Sequence, residues 1–293
     1  MTWEAVEQDI SQAEGVGFKA QRAVPVGGGC INEAVLLEGD GQRFFVKLNN
    51  ADKAKMFAAE AAGLQVIVDS DTLRAPRPVC QGGDGQRSWL VLEYIEFAAP
   101  PADCSELLGQ QLAAMHLVTH DSFGWDIDNT IGSTPQHNAP AQDWVSFYRE
   151  HRLDYQLKLA KKNGAPGQLL DRGDRLLGAL PGFFTDYRPR PSLLHGDLWG
   201  GNWAADSSGN PVIFDPAVYF GDREADLAMT ELFGGFDDRF YQSYRHAWTI
   251  DPGYETRKVL YNLYHVLNHF NLFGGGYARQ ALGMVDRLLA EIS

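Results

Sequence analysis

The chain has 293 residues, 31 of them glycine, and its 25 basic and 38 acidic residues give a net charge of −13. A hydrophobic share of 44% at this length supports a large buried core and excludes a disordered chain. The acidic balance argues against a broad nucleic-acid-binding surface, which requires clustered Lys and Arg.

Cysteine usage and hydropathy indicate the compartment. The three cysteines have no CxxC spacing, so neither a disulfide framework nor a zinc knuckle is indicated. The first ten residues, MTWEAVEQDI, are acidic, and no uncharged apolar run reaches about 18 residues. We therefore expect a cytoplasmic protein with reduced thiols, no signal peptide and no membrane span.

The first third of the chain is predicted to be rich in strands. The sequence EGDGQ separates two strand-like runs and is a good hairpin turn. A helix follows, in which apolar residues recur every three or four positions. Two prolines after the last strand mark a boundary between lobes. The predicted elements are helices over 3–14 and 52–69 and strands over Ala34–Leu37, Phe44–Leu48 and Trp89–Ile95.

Helical periodicity dominates the rest of the chain and is interrupted by one strand–loop–strand element over 192–215. The predicted helices are Leu107–Leu117, Trp144–Lys161, Asp171–Leu180 and those from Asp222 onward. This order predicts an α+β chain of two lobes. The β-rich N-lobe with one main helix spans 1–97, the larger α-rich C-lobe spans 98–293, and the hinge lies at about 93–101.

The densest group of polar residues follows an apolar strand, in the segment HGDLWGGN. Asp197 and Asn202 lie five positions apart there, and Asp215 follows a turn-forming DSSGN. If 202–206 and 210–215 pair as a hairpin, Asn202 lies nearly opposite Asp215. Oxygen ligands grouped in this way suit Mg²⁺. Asp197 then remains available to accept a proton from a hydroxyl.

This spacing is the arrangement of the protein-kinase-like fold, in which a Lys–Glu pair and a glycine loop lie upstream. Glu60 falls on the apolar stripe of the 52–69 helix, where a carboxylate needs a cationic partner, and Lys47 on the preceding strand is the candidate. That pair would fix Lys47 on the α- and β-phosphates of ATP. The remaining predicted nucleotide contacts are the backbone of Gly27, Gly28 and Gly29 at the phosphates and of Glu93, Tyr94 and Ile95 at adenine.

Two motifs distinguish this chain from protein kinases. HGD and DPA stand where protein kinases have HRD and DFG, and no APE follows, so a peptide-docking segment is not expected. The chain also contains the motifs GGGCINE at 27–33, LEYI at 92–95, FGW at 123–125, Asn129, Ile131, Gly132, Asp143 to Arg152, 222–228 and 263–274. Together with HGDLWGGN and DPA, these motifs make the chain resemble the fructosamine kinase (ketosamine-3-kinase) family over nearly its whole length.

The resemblance implies a transferase that uses ATP and Mg²⁺ to phosphorylate the 3-hydroxyl of a ketosamine such as fructosamine or ribulosamine. The product then decomposes and frees the amine, which is a deglycation role. The amine would belong to a small molecule or to a protein lysine, and the chain would be a monomer or homodimer. The alternative is a related kinase for an aminoglycoside-, choline- or nucleoside-like alcohol. A pseudokinase is disfavoured because Lys47, Asp197, Asn202 and Asp215 are all present.

Several further residues receive weaker assignments. Trp199, next to the predicted base, is placed by sequence to stack on the sugar. His265 and His269 share a helix face and either pack in the core or contact sugar hydroxyls; a zinc site would need a third ligand. We predict that His195 braces the catalytic loop and that Asp226 bonds its backbone.

Cys30 follows the glycine loop directly. A partly exposed thiol beside backbone N–H groups could be oxidised reversibly and lower the activity. The inert alternative is a small residue that fits a tight turn.

Overall fold

The structure is a computed structural model that describes residues 3–27 and 31–292. The chain forms two compact units, one of residues 1–104 and 204–216 and the other of 105–203 and 217–293. Residues 204–216 thus cluster with the first unit, although they lie within the predicted C-lobe. The prediction used the order of elements along the chain, which does not reveal strand pairing between segments far apart in sequence.

Six strands and two α-helices lie in the described chain up to Ala98, and four consecutive α-helices end it. The strands are β1 (Arg22–Val26), β2 (Glu33–Gly39), β3 (Gln42–Asn50), β4 (Pro78–Gly83), β5 (Arg87–Glu93), β6 (Phe97–Ala98), β7 (Asn129–Ile131), β8 (Thr134–Gln136), β9 (Ser192–Leu194), β10 (Trp203–Asp206), β11 (Pro211–Ile213) and β12 (Tyr219–Gly221). The helices are α1 (Glu4–Glu14), α2 (Ala54–Asp69), α3 (Cys104–Leu117), α4 (Trp144–Tyr148), α5 (Tyr155–Lys162), α6 (Gly167–Ala179), α7 (Glu224–Leu232), α8 (Asp238–Ala247), α9 (Tyr254–Phe273) and α10 (Tyr277–Glu291).

A five-stranded antiparallel sheet in the order β1-β2-β3-β5-β4 forms the frame of the first unit. The predicted hairpin turn is confirmed, because Asp40 and Gly41 have φ angles of 52° and 76° and join β2 to β3. Both central residues of such a two-residue turn require positive φ. Val6 and Ile10, one helical turn apart on α1, pack against the sheet core around Phe44.

A second sheet in the order β11-β10-β6 belongs mainly to the first unit. The predicted turn between β10 and β11 is present, since the Asp206 carboxylate accepts from the backbone N–H groups of Ser208 and Asn210, both at 2.9 Å. Arg74 forms an ion pair with the same carboxylate. The turn therefore has its polar groups paired.

The second unit is mostly helical around one core, with α9 buried along most of its length. Two small antiparallel pairs, β9 with β12 and β7 with β8, cross this unit. The predicted helix over Trp144–Lys161 consists of α4, a π-helical segment Arg149–Asp154 and α5. The sequence analysis did not predict this π-helical segment. It also missed β4, β6, β7, β8 and β12, because glycine-rich strands and strands of two or three residues give little periodicity.

Among the described residues, no helix has the length and apolar character needed to cross a membrane.

Candidate active site

A buried charge cluster in the first unit centres on Lys47, in the middle of β3 and only 6% exposed. Its ammonium forms ion pairs with the carboxylates of Glu60 on α2 and of Asp215. Burial alone would lower the pKa of Lys47, but the two carboxylates raise it above its usual value, so the amine stays protonated. The sequence therefore placed Lys47 and Glu60 together correctly, and the structure adds Asp215 as a second partner.

The cluster places two carboxyl groups, those of Glu60 and Asp215, against one ammonium group. Burial raises the pKa of Glu60, and Lys47 only partly offsets this because the Asp215 carboxylate acts in the same direction. The Asp215 side chain is 49% exposed, whereas those of Lys47 and Glu60 are 8% and 12% exposed. A carboxylate with this exposure is an oxygen ligand of the kind that divalent cations such as Mg²⁺ bind.

Asp215 also has an unusual backbone conformation, with a φ of 58°. A left-handed residue other than glycine stores about 1–3 kcal/mol of strain, and such residues concentrate at functional sites. Asp tolerates this region better than bulky residues do. The conformation is consistent with a carboxylate held in place for a ligand.

The predicted glycine loop and hinge are described only in part. Gly27 is exposed and has open space where a Cβ would lie, whereas Gly28, Gly29 and Cys30 lie outside the described residues. The Glu93 N–H donates to the Arg77 carbonyl at 2.9 Å, so this one N–H is not available to adenine, and the contact of the rest of the 93–95 backbone with adenine stays a prediction. Ile95 is buried, and the Tyr94 ring lies 4.6 Å from the guanidinium of Arg43.

Residues 195–202 of the second unit, which the sequence predicts to be catalytic and which are called the catalytic loop below, follow β9 and are held by Asp226 of α7. The Asp226 carboxylate accepts from the N–H groups of His195 at 2.7 Å and Gly196 at 2.8 Å. It also lies 3.2 Å from Nε2 of His116. Burial would raise the pKa of Asp226, but these hydrogen bonds and the neighbouring imidazoles lower it, so the group is ionised.

Hydrogen bonds inside the loop orient its polar side chains. The Asp197 N–H donates to Nδ1 of His195 at 3.2 Å, which makes that nitrogen an acceptor. Nδ2 of Asn202 donates to the Asp197 carbonyl at 2.8 Å. The Asn202 amide oxygen is then the atom with the chemistry to bind a cation. Asn202 and Asp215 belong to different units, so their pairing as metal ligands stays a prediction.

Two glycines of the loop are required by close approaches. Gly196 has a φ of +80°, and a Cβ on it would lie 2.1 Å from the carbonyl oxygen of Ala217. A Cβ on Gly201 would lie 2.3 Å from the ring of Trp199. The Trp199 ring thus packs over Gly201 and is 41% exposed, which leaves an aromatic surface next to Asp197 in sequence.

The two predicted helix histidines differ in environment. His265 is buried, which lowers its pKa to about 3, so it is neutral at physiological pH. His269 is half-buried, and its ring lies 5.0 Å from that of Phe233 and 5.2 Å from that of Tyr277. No group of three or more His, Cys, Asp or Glu in the described chain could hold a metal ion.

The sequence analysis missed the chain of buried hydrogen bonds that leads through His116 to the Asp226 carboxylate. Nδ1 of His116 lies 2.7 Å from the Tyr244 hydroxyl, and Arg223 donates to that hydroxyl at 3.3 Å. His116 and Tyr244 are fully buried. The available signal was a histidine that directly follows the apolar run Leu112–Met115, because a buried imidazole needs polar partners.

Comparisons with known proteins show the family of this chain. The fructosamine kinase family model matches residues 2–291. The chain belongs to the fructosamine kinase family. It is 48% identical to a Synechocystis protein named "Probable ketoamine kinase", covering 98% of this chain and 97% of that protein. It is 42% identical to a chloroplastic protein-ribulosamine 3-kinase of Oryza sativa, over 94% of this chain and 81% of the relative.

Solved structures agree with the family assignment and extend the fold beyond it. A fructosamine-3-kinase homologue from Haemophilus somnus superposes with a TM-score of 0.89 at 27% identity, covering 98% of this chain and 97% of the other. An aminoglycoside phosphotransferase, solved with ADP and hygromycin B, has a TM-score of 0.62 at 15% identity and covers 98% of each chain. The predicted α+β, protein-kinase-like fold of this fructosamine kinase family member is confirmed.

Proposed function

We propose that the chain is an ATP-dependent kinase that phosphorylates a sugar hydroxyl, the 3-hydroxyl, of ketosamines such as fructosamine and ribulosamine. The observation that carries the proposal is the buried cluster of Lys47, Glu60 and Asp215 in a member of the fructosamine kinase family. One fixed ammonium beside one exposed carboxylate is suited to a nucleotide phosphate and its divalent cation.

The residues of the first unit would bind the nucleotide. Lys47, fixed by Glu60, would contact the α- and β-phosphates, and the backbone of Tyr94 and Ile95 would contact adenine. Asp215 would ligate Mg²⁺, which when bound neutralises charge on the phosphates. The exposure of the Asp215 side chain, beside two groups that are buried, supports this assignment.

The residues of the second unit would position the acceptor. Asp197 would orient the sugar hydroxyl and accept its proton during transfer, while the Asn202 amide oxygen would complete the Mg²⁺ ligands. The exposed ring of Trp199 would stack on the sugar or on the adjoining ammonium group. Catalysis of phosphoryl transfer consists mainly of positioning and charge neutralisation, so a rigidly held loop is the expected device.

A transfer assay tests the proposal. The protein is incubated with Mg²⁺ and ATP together with a fructosamine, a ribulosamine, an aminoglycoside or choline, and the phosphorylated product is identified by mass spectrometry. We expect phosphate on the two ketosamines. Transfer only to the aminoglycoside or to choline would establish the alternative kinase, and no transfer to any of the four would refute the kinase assignment.

Asp197→Ala separates the chemical step from nucleotide binding. We expect this variant to lose transfer and to keep ADP binding, measured by calorimetry, because Asp197 is assigned to the acceptor hydroxyl. Asp126→Ala, which removes an exposed carboxylate of the same unit, is the matched control and should retain full activity. Loss of nucleotide binding in folded Asp197→Ala would contradict the role assigned to Asp197. The cytoplasmic location and the oligomeric state stay predictions from the sequence.

A further inference from the structure

The β7–β8 hairpin contains a family motif, Asn129 with Ile131 and Gly132, that the proposed mechanism does not use. Asn129 and Gln136 face each other in its register, and Gly132 turns the chain with a φ of 63°. Both amide side chains are at least nine-tenths buried. Buried amides need hydrogen-bond partners, and these partners show what the hairpin does.

The two amides hold one short backbone segment. Nδ2 of Asn129 donates to the Val218 carbonyl at 2.8 Å, and Nε2 of Gln136 donates to the Ala217 carbonyl at 3.1 Å. Nε2 of Gln136 also donates to Oδ1 of Asn129 at 2.8 Å. The hairpin is therefore fixed by its side chains to the backbone of Ala217 and Val218.

The same backbone segment supports the catalytic loop. The Ala217 N–H donates to the His195 carbonyl at 2.8 Å, and the Ala217 oxygen occupies the space where a Cβ on Gly196 would lie. His195 and Gly196 directly precede the proposed base, Asp197. A displacement of Ala217 would therefore be transmitted to the backbone next to that base.

A fully buried arginine is hydrogen-bonded to the two residues that directly follow the β7–β8 hairpin. Arg152 belongs to the π-helical segment Arg149–Asp154, a rare conformation that is frequent at functional sites. Its guanidinium donates to Oδ1 of Asn138 at 2.7 Å and to the His137 carbonyl at 2.6 Å, and it lies 4.1 Å from the centre of the Tyr219 ring. All its hydrogen-bond partners in the described chain are neutral. Packing alone would be served as well by an apolar side chain, without the cost of burying a cation.

Arg152 determines which atom of Asn138, and then of Asn129, donates a hydrogen bond and which atom accepts one. A guanidinium only donates and a backbone carbonyl only accepts. Asn138 must therefore turn its oxygen toward Arg152, and its Nδ2 then donates to Oδ1 of Asn129 at 3.1 Å. Asn129 is left with its amide nitrogen toward the Val218 carbonyl. The Tyr264 hydroxyl orients the second branch by donating to Oε1 of Gln136 at 2.7 Å.

We propose that Arg152, Asn138, Asn129 and Gln136 form a positioning network that holds the catalytic loop through the backbone of Ala217. Arg152 sets the orientation of the amides, and Gln136 delivers it to the loop. These residues act through other groups. The proposal rests on the proposed function, because the loop it positions is the one assigned to the acceptor hydroxyl.

Two variants test the network. Gln136→Glu keeps the shape but replaces the donating nitrogen with an oxygen opposite two acceptors, and Arg152→Lys keeps the charge but loses the planar fork. We expect kcat to fall about 10- to 100-fold, the scale of a small misplacement of a catalytic group. The KM for ATP should change by no more than about twofold, because the Lys47–Glu60 pair assigned to the phosphates shares no residue with the network. Amide hydrogen exchange in residues 194–198 should become faster.

A milder pair of variants keeps the test decisive if those proteins fail to fold. Tyr264→Phe removes one buried hydroxyl from the network. Tyr148→Phe removes one that donates to the Leu260 and Tyr261 carbonyls, at 3.2 and 3.4 Å, outside the network. We expect kcat to fall about 2- to 10-fold in Tyr264→Phe, the effect of one hydrogen bond, and to stay at the wild-type value in Tyr148→Phe.

Amide exchange separates failure of the network from failure of the proposed function, because exchange needs no substrate. Folded Gln136→Glu or Tyr264→Phe with wild-type kcat and wild-type exchange in the loop would overturn the network. A wild-type protein that transfers no phosphate to a ketosamine would refute the proposed function. Faster loop exchange in the variants would then still support the network.

Discussion

Replacing Asp226 by Asn would remove one acceptor and the negative charge from the point where the catalytic loop is anchored. Oδ1 of Asp226 accepts from Gly196, and Oδ2 accepts from His195 and His116. An amide can keep only one oxygen. The less costly orientation keeps the oxygen toward His195 and His116 and leaves an NH₂ group facing the Gly196 N–H.

The expected loss follows from that geometry. One hydrogen bond to a charged acceptor contributes about 1.5–3 kcal/mol when its partner is left buried and unpaired. A loss of this size lowers the melting temperature of a domain of this class by about 3–12 °C. Because the weakened bond lies one residue before Asp197, we also expect kcat to fall about 10- to 100-fold.

The assay combines calorimetric melting with steady-state kinetics on a fructosamine. Asp237→Asn is the matched control, because Asp237 caps α8 by accepting from the Phe240 N–H at 3.1 Å and Asn caps helices equally well. The control should keep both the melting temperature and kcat. The pKa of Asp226 is lowered in the folded state, so its stabilisation is present above pH ~4 and is lost as the pH falls through the folded pKa. The acid limb of stability should therefore flatten in Asp226→Asn.

An Asp226→Asn protein with the wild-type melting temperature and wild-type kcat would refute the reasoning that this carboxylate anchors the loop. A lower melting temperature with unchanged kcat per folded molecule would leave Asp226 with a purely structural role.

Two further substitutions and one labelling experiment test other features of the structure. Gly196→Ala should lose more stability in chemical denaturation than Gly164→Ala. Both glycines have positive φ, which costs about 1–2 kcal/mol for alanine, but only a Cβ at 196 would meet the Ala217 carbonyl. Equal losses in the two variants would refute this clash. Burial lowers the pKa of His265 from 6.5 to about 3, so the contribution of neutral His265 to folding stability is complete above pH 6.5 and is lost as the pH falls toward 3. In that window, His265→Gln should reduce the slope of the free energy of unfolding against pH by about 1.4 kcal/mol per pH unit. An unchanged slope would contradict this. Burial raises the pKa of the Cys80 thiol to about 12 and also raises the pKa of the Cys104 thiol. Iodoacetamide at pH 8 should therefore leave both thiols unlabelled in the folded protein, as measured by peptide mass spectrometry. Rapid labelling of Cys80 would contradict its raised pKa. The sequence-based hypothesis on Cys30 has its own test, since Cys30→Ala should resist peroxide inactivation.

Much of the site was predictable because its chemistry depends on local sequence. The HGDLWGGN segment, the later Asp215 and the Lys47–Glu60 spacing are short patterns, and each residue type carries its own chemical reason. Glu60 was predicted to pair with Lys47 because an acid on the apolar stripe of a helix requires a cation. The EGDGQ turn was predictable for a similar reason, since few residues adopt its backbone conformation.

The sequence by itself determined the family, the protein-kinase-like fold and the residues to which the chemistry is assigned, because residue types and their spacing along the chain indicate all three. Only the tertiary structure decided that Asp215 contacts Lys47, that His116 stands behind Asp226, and that residues 204–216 join the first unit. It also connected Arg152 to the catalytic loop through three buried amides. Asn and Gln side chains have no preferred partner in a sequence, and their hydrogen bonds become specific only when packing excludes water and brings distant segments together.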